Sequence, residues 1–292
     1  MKIYVDENKG DRNSFYLLAY VYGEDSDISS FQQAASVVKA HHPRLGSSFK
    51  GIHANKIDVS KRTVIAYVQD ILNLFQQYLS QNKLHYFIFI QSTQKVIKNF
   101  GTVKNYLNNI IQGIRKSQFP DLQDKDIPNI VESAAQLWGI FQYPERFKNT
   151  SAADIYVDSC GAILNYATQT RTMIDQQGRS MTVPFYNMIN VFMRTVASVV
   201  GKINNKQKIS LNSYNAIPDT SDICIQICDI LSNYLFNALR AEKGNTNANI
   251  IYKKNQIVNL LGINPVNLTS LASNFDNSVN CINHNAFMIF ED

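Results

Sequence analysis

Runs of consecutive apolar and aromatic residues constrain the fold of this chain most strongly. The segment LHYFIFIQ at 84–91 is almost continuously apolar, which is typical of a strand covered on both sides. The segments KIYVD at 2–6 and SFYLLAYVYG at 14–23 are rich in β-formers, and a polar turn between them predicts a hairpin. Segments with amphipathic helical spacing are interleaved with these strands. We therefore predict an α/β fold with a mixed sheet flanked by helices.

The length of 292 residues fits one large domain or two small ones. We predict a single domain over 1–292, because no repeat, low-complexity segment or clear linker interrupts the chain. Helical spacing predicts a helical insertion at about 100–150 and a C-terminal helical extension at about 245–292.

Composition and charge limit the classes of partner. Lys and Arg total 28 against 23 Asp and Glu, a net charge of +5 that suits a polyanion without requiring one. The start MKIYVDENK does not resemble a signal peptide. In the most apolar long window, VPFYNMINVFMRTVASVVG, the polar residues Asn187, Asn190 and Arg194 argue against a membrane span. With no CxxC pair, we expect a cytoplasmic protein with reduced thiols and no membrane association.

Three carboxylates occupy comparable places in the predicted elements. Asp6 ends the first predicted strand, Asp158 ends a later one (ADIYVD), and Asp229 lies among Ile and Leu in a strong helix. A buried acid must be paired, hydrogen-bonded, protonated or bound to a cation, because burying a lone charge is very costly. Asp222, Gln226 and Asp229 are spaced i, i+4 and i+7, so they share one helix face. That face either meets solvent or closes over the strand ends.

Each acid also has a simpler interpretation. Asp6 with Glu7 could begin a turn, and Asp158 could cap a following helix. Asp229 could be an exposed acid on an amphipathic helix. The late helix follows Pro218 and precedes Gly244, and three residues could cap it: Asp219, Thr220 or Ser221.

Four short motifs, in order along most of the chain, resemble the domain-of-unknown-function 3800 family. IYVDENKGD resembles the family's opening yiDESGd, GIHANKI its EiHa segment, IYVDSCG its internal strand, and CIQICDILSNYLFNALR its late iQlADliag helix. That family is similar to the ribonuclease H-like superfamily. The resemblance implies a ribonuclease H-like domain in which Asp6, Asp158 and Asp229 hold two divalent ions, Mg²⁺ or Mn²⁺. Two such ions about 3.5–4 Å apart catalyse phosphodiester hydrolysis.

The chain departs from the family pattern at one position that matters. The family's Glu before iHa aligns with Gly51, which leaves His53 as the remaining member of that pair. Glu7 or Asp58 could serve as the fourth ligand, or His53 could bind the metal. Otherwise the implied metal site is weakened or inactive.

A basic segment, GIHANKIDVSKR, surrounds this position. His53 could act as a general base or contact a phosphate, and it could equally be a partly exposed loop histidine. Lys50, Lys56, Lys61 and Arg62 could contact a nucleic-acid backbone, or they could line a solvated loop.

The leading hypothesis is a Mg²⁺- or Mn²⁺-dependent nuclease that acts on DNA or RNA. The resemblance also suggests a role in antiviral or mobile-element defence. The alternative is a catalytically impaired ribonuclease H-like module that binds nucleic acid or a partner protein, and homo-oligomers fit either hypothesis. A third hypothesis is a metal-dependent hydrolase of a nucleotide or another small phosphoester.

Overall fold

A computed structural model describes residues 1–9, 15–46, 49–92, 103–142, 152–158, 170–175, 177–203, 210–263 and 288–291. The chain separates into two compact units. The enclosing unit consists of Lys2–Gln94 and Ile217–Asp292, and the inserted unit consists of Lys95–Ala216 together with Met1.

The strands and helices alternate along the chain. The strands are β1 (Lys2–Lys9), β2 (Phe15–Gly23), β3 (Leu84–Ser92), β4 (Ala153–Asp158), β5 (Thr170–Ile174), β6 (Ser180–Pro184), β7 (Leu211–Ile217) and β8 (Met288–Glu291). The helices are α1 (Asp25–Ala40), α2 (Arg62–Ser80), α3 (Val103–Gln118), α4 (Ile127–Gln136), α5 (Trp138–Gln142), α6 (Phe185–Ile203), α7 (Ile223–Glu242) and α8 (Ala248–Leu261).

The enclosing unit contains an antiparallel sheet in the order β1-β2-β3-β8. The three apolar sequence segments form its first three strands, as predicted. Their side chains are buried on both faces of the sheet, since consecutive residues such as Ile3, Tyr4 and Val5 are all inaccessible to solvent. The tail predicted as a helical extension contains α8, but its last described segment is β8, which pairs with β3.

The prediction that Asp6 ends the first strand is wrong. β1 continues to Lys9, and Asp6 lies opposite Ala19 in its interior. The three polar residues after Asp6 keep the ladder register with β2, and Glu7 and Asn8 are half-buried. The polar residues that follow Asp6 therefore belong to the strand and not to the turn. A strand of a hairpin can carry polar side chains where one face of the sheet is partly open to solvent.

Helices cover the sheet of the enclosing unit. α7 packs against β1 and β2, and α8 packs against α7. α1 and α2 pack on each other, with the rings of Phe31 and Phe75 6.1 Å apart in an edge-to-face arrangement. These packings place the polar face of α7 inside the unit, where its groups must find partners.

The inserted unit has its own strands and helices. The backbone N–H of Ala153 in β4 donates to Ser210, and the Asp154 carboxylate accepts from Ser213 at 2.5 Å, so β4 and β7 run in the same direction. β5 and β6 form a hairpin. Helical spacing in GAILNYATQTRTMI predicts a helix over 161–174, but Thr170–Ile174 is strand β5, because cross-strand pairing with β6 overrides the weak helical spacing. The rest of that predicted helix, 161–169, lies outside the described residues.

Antiparallel and parallel strand pairs together with flanking helices confirm the α/β class and the mixed strand directions. None of the helices within the described ranges is both long and apolar enough to cross a membrane.

Candidate functional site

The candidate site of the enclosing unit is built on helix α7. Its N-cap is Asp222, whose Oδ1 accepts from the backbone N–H of Cys224 at 2.8 Å. The capping prediction of Asp219, Thr220 or Ser221 is therefore wrong, because those three residues form a short 3-10 turn before the helix. Burial raises the pKa of the Asp222 carboxyl, although hydrogen bonds from Cys224 and Gln32 oppose this shift.

Side chains on the polar face of α7 accept hydrogen bonds from the backbone of residues 52–54. Oε1 of Gln226 accepts from the N–H of Ile52 at 2.9 Å, and Oδ2 of Asp229 accepts from the N–H of Ala54 at 2.8 Å. Ile52 and Ala54 are buried, so their N–H groups need partners inside the protein. This face therefore does not simply meet solvent; it fixes residues 52–54, with His53 between the two anchored residues.

Gly51 makes a close approach to the same helix. A Cβ added at this position would lie 2.8 Å from Nε2 of Gln226 and 3.1 Å from the Cα of Thr220. The amide of Gln226 therefore fills the space into which a side chain at position 51 would project. A glutamate at this position would require Gln226 to move.

Asp6 lies near the buried side of α7. It is only 7% exposed, and its Oδ1 accepts from the N–H of Glu7 at 2.8 Å. The thiol of Cys228 donates to the carbonyl of Tyr4 at 3.4 Å, which ties α7 to β1. Burial raises the pKa of Cys228 well above its usual value, and Asp6, Asp222 and Asp229 all raise it further. Cys228 therefore stays a protonated thiol that joins α7 to β1.

Lys253 in α8 is a residue that the sequence reasoning missed. Its side chain is buried, and its Nζ donates to Oδ1 of Asn233 at 3.0 Å. Burial lowers the pKa of the Lys253 amine, whereas the charge of Asp229 raises it. Lys253 thus supplies positive charge within electrostatic range of Asp229. The sequence did contain a signal, because Lys253 has helical spacing from Ile250 and Ile257 and so shares their apolar stripe. The structure buries all three residues.

Much of the basic segment predicted to contact nucleic acid lines one cavity, which we call the basic cavity. Its volume is about 290 Å³, and its lining includes Lys50, His53, Lys56 and Lys61. Arg62, the first residue of α2, is exposed but does not line it. The structure therefore brings together three of the four predicted basic residues and the predicted histidine.

The proposed substitutes for the missing glutamate differ in their surroundings. Asp58 accepts from the N–H of Ser60 at 2.9 Å, and this bond lowers the pKa of its carboxyl. Asp58 therefore stabilises a local turn. Glu7 is half-buried on β1, directly after Asp6.

Asp158 belongs to the inserted unit. It is the last residue of β4, as predicted, and it is half-buried in a strand whose alternate residues are buried. The helix that it was predicted to cap lies outside the described residues. Across the part of the chain that the structure describes, no three His, Cys, Asp or Glu side chains are grouped so as to hold a metal ion.

Comparisons with known proteins identify no relative. No family model, no curated protein and no solved structure matches this chain.

Proposed function

We propose that this protein is a ribonuclease H-like nuclease that hydrolyses phosphodiester bonds with Mg²⁺ or Mn²⁺. The supporting observation is the hydrogen bond from the Ala54 N–H to Asp229. It brings an acid of α7 against the segment that carries His53 and lysines of the basic cavity. Acids beside a cluster of amines suit a reaction in which a metal and a phosphate meet.

The acids of the enclosing unit fit a hard divalent cation. Asp6 is buried in β1, against which α7 packs, and Asp229 lies on α7. Magnesium is often held by only one or two carboxylates, with water and substrate phosphates as its other ligands. Asp6 and Asp229 would hold the ion, which when bound supplies an activated water and stabilises the leaving oxygen.

The basic cavity would bind the substrate. Lys50, Lys56 and Lys61 would neutralise backbone phosphates, and His53 would orient the phosphate nearest to the acids. The anchoring of Ile52 and Ala54 to α7 reduces the freedom of His53, because both of its chain neighbours are fixed. The ligand role that the resemblance to the domain-of-unknown-function 3800 family implies for Asp158 is tested separately by an Asp158→Asn variant.

The test is cleavage of labelled DNA and RNA in the presence of Mn²⁺ by the wild type and by Asp229→Asn. Asparagine keeps an oxygen that can accept from Ala54 but removes the charge, so the fold should survive. We expect the cleavage rate to fall by about 100-fold or more, the usual scale for losing one electrostatic contact at a reacting group.

The matched control is Asp25→Asn, which changes an exposed acid in the first turn of α1. It should cleave at the wild-type rate. Absence of cleavage by the wild type, or equal cleavage by the wild type and Asp229→Asn, would refute the nuclease assignment.

A second candidate function is a module that binds nucleic acid or a partner protein without catalysis. Two observations favour it: Gln226 fills the space beside Gly51, and Lys253 already supplies positive charge near Asp229. Calorimetric titration with Mn²⁺ separates the two functions. Measurable binding that Asp229→Asn abolishes supports the nuclease, and no heat at millimolar ion supports the module.

A further inference from the structure

A second cavity lies beside the basic cavity in the enclosing unit. We call it the polar cavity; its volume is about 380 Å³, within the range of about 300–1,000 Å³ typical of small-ligand pockets. Lys50 and Gly51 line both cavities, so the two are neighbours along the 49–53 segment. The proposed nuclease mechanism gives no role to the polar cavity.

The lining of the polar cavity has a positive part. Lys39 of α1 and Lys50 both contribute amines, which are donors with a full charge. The Nζ of Lys39 lies 5.7 Å from the centre of the Phe49 ring, a cation–π distance that holds the amine beside residue 50. Two amines at one cavity favour a phosphate.

Other residues that line the polar cavity carry groups that can accept hydrogen bonds. Ser36, Thr220 and Ser221 supply hydroxyls, and Asp222 supplies the carboxylate. Gln32 donates to Oδ2 of Asp222 at 2.7 Å, which fixes its orientation. Asp222 also accepts from Tyr4 and Cys224, so its carboxylate is satisfied within the protein and forms part of the cavity wall.

We propose that the polar cavity binds one unpaired nucleotide of the strand whose phosphodiester occupies the basic cavity. This inference rests on the proposed function, because Lys50 connects the two cavities. A nucleotide carries a phosphate for Lys39 and Lys50, and its sugar and base carry hydroxyl and amine donors for the hydroxyl oxygens of Ser36, Thr220 and Ser221.

The size of the cavity selects the form of the substrate. A cavity of about 380 Å³ has room for a single nucleotide, and a base enters such a cavity only when it is unstacked and unpaired. The polar cavity therefore predicts preference for single strands or for unpaired ends over continuous duplex.

The first test measures single-strand binding by Lys39→Gln with fluorescence anisotropy in EDTA, where no cleavage occurs. We expect the Kd of a labelled single-stranded oligonucleotide to rise about tenfold, because a charged hydrogen bond is lost. The slope of log K against log salt should decrease in magnitude by about 0.7, the contribution of one phosphate contact in a single strand.

The matched control for Lys39 is Lys83→Gln. Lys83 is also exposed, and its Nζ lies 5.5 Å from the centre of the Tyr78 ring, but it does not line the cavity. Lys83→Gln should bind as the wild type does. Equal Kd values and salt slopes for the two variants would overturn the proposal.

The second test fills the cavity with Ser36→Trp and compares it with Ser29→Trp. Both serines are exposed on α1, and both hydroxyls donate to the carbonyl four residues earlier, but only Ser36 lines the cavity. Ser36→Trp should weaken oligonucleotide binding about tenfold, and Ser29→Trp should not. Equal binding by both would overturn the proposal.

Two further measurements identify the source of the nucleotide and separate the hypotheses. Free AMP that binds as tightly as the oligonucleotide would overturn the assignment to a strand. Cleavage by the wild type with an unchanged KM in Lys39→Gln would overturn this inference and leave the nuclease intact. Binding that depends on Lys39 and Ser36 without cleavage by any protein supports the cavity and refutes the nuclease.

Discussion

Replacing Gly51 by alanine tests how tightly residues 51–54 are held against α7. The added Cβ would come within 2.8 Å of Nε2 of Gln226, and the backbone at Thr220 blocks the other side at 3.1 Å. Gln226 must then rotate, which leaves the buried N–H of Ile52 without its 2.9 Å acceptor. Overpacking costs about 1–3 kcal/mol and an unsatisfied buried donor about 1–3 kcal/mol, against a gain of about 0.4–1 kcal/mol from a stiffer unfolded chain. We therefore expect a net loss of about 1–5.6 kcal/mol.

The control, Gly113→Ala, is expected to change the free energy of unfolding in the opposite direction. Gly113 lies inside α3, and a Cβ there meets no atom within 4 Å. Gly113→Ala should therefore stabilise the protein by about 0.5–1 kcal/mol, the cost of glycine within a helix. Urea unfolding measures both variants, and hydrogen exchange of the 50–56 peptide shows whether the Ile52 amide loses protection.

A double variant locates the cause. Removing the Gln226 side chain frees the space, so Gly51→Ala should cost less in a Gln226→Ala background by at least about 0.5 kcal/mol. If Gly51→Ala is as stable as the wild type and the exchange of 50–56 is unchanged, the proposed clash with α7 is wrong.

Two further predictions concern pH. The folded pKa of Asp222 is raised above its usual 3.8, so the folded state binds more protons, and the free energy of unfolding should fall as pH rises through that window. Asp222→Asn, whose amide oxygen can still accept from the Cys224 N–H, should flatten this slope in urea titrations; an unchanged slope would refute the role of Asp222. The folded pKa of Lys253 is lowered from 10.5, so the unfolded state binds more protons and stability should rise as pH approaches 10.5. Lys253→Met should lack this rise, and an identical pH profile of unfolding would show that burial does not disfavour the charge.

The sequence allowed prediction of those features that depend on local pattern. The strands containing Ile3 and Phe87 follow from density of β-formers, and α7 follows from its spacing and from Pro218 before it. The shared face of Gln226 and Asp229 follows from helix geometry alone. The position of Asp158 at a strand end was also readable, because an apolar run stops there.

The features that the sequence did not reveal depend on distant residues. Periodicity gives a face of α7 but not the partner of that face, and the partner of Asp229 is the N–H of Ala54, 175 positions away. The Asp222 cap also accepts a hydrogen bond from Gln32, which is 190 positions away. The length of β1 depends on its register with β2 rather than on the polarity of Glu7.

The division of the chain into an enclosing and an inserted unit also has a consequence during synthesis. Strands β1 to β3 are made first, but α7, which packs on β1 and β2, follows the inserted segment Lys95–Ala216. At roughly 5–20 residues per second, a ribosome needs roughly 6–24 s for these roughly 120 residues. During that interval Cys228 has not yet been made and cannot bond to Tyr4, and α7 does not yet cover the apolar hairpin of β1 and β2. The nascent chain therefore presents an aggregation-prone surface that a chaperone can bind until α7 leaves the exit tunnel.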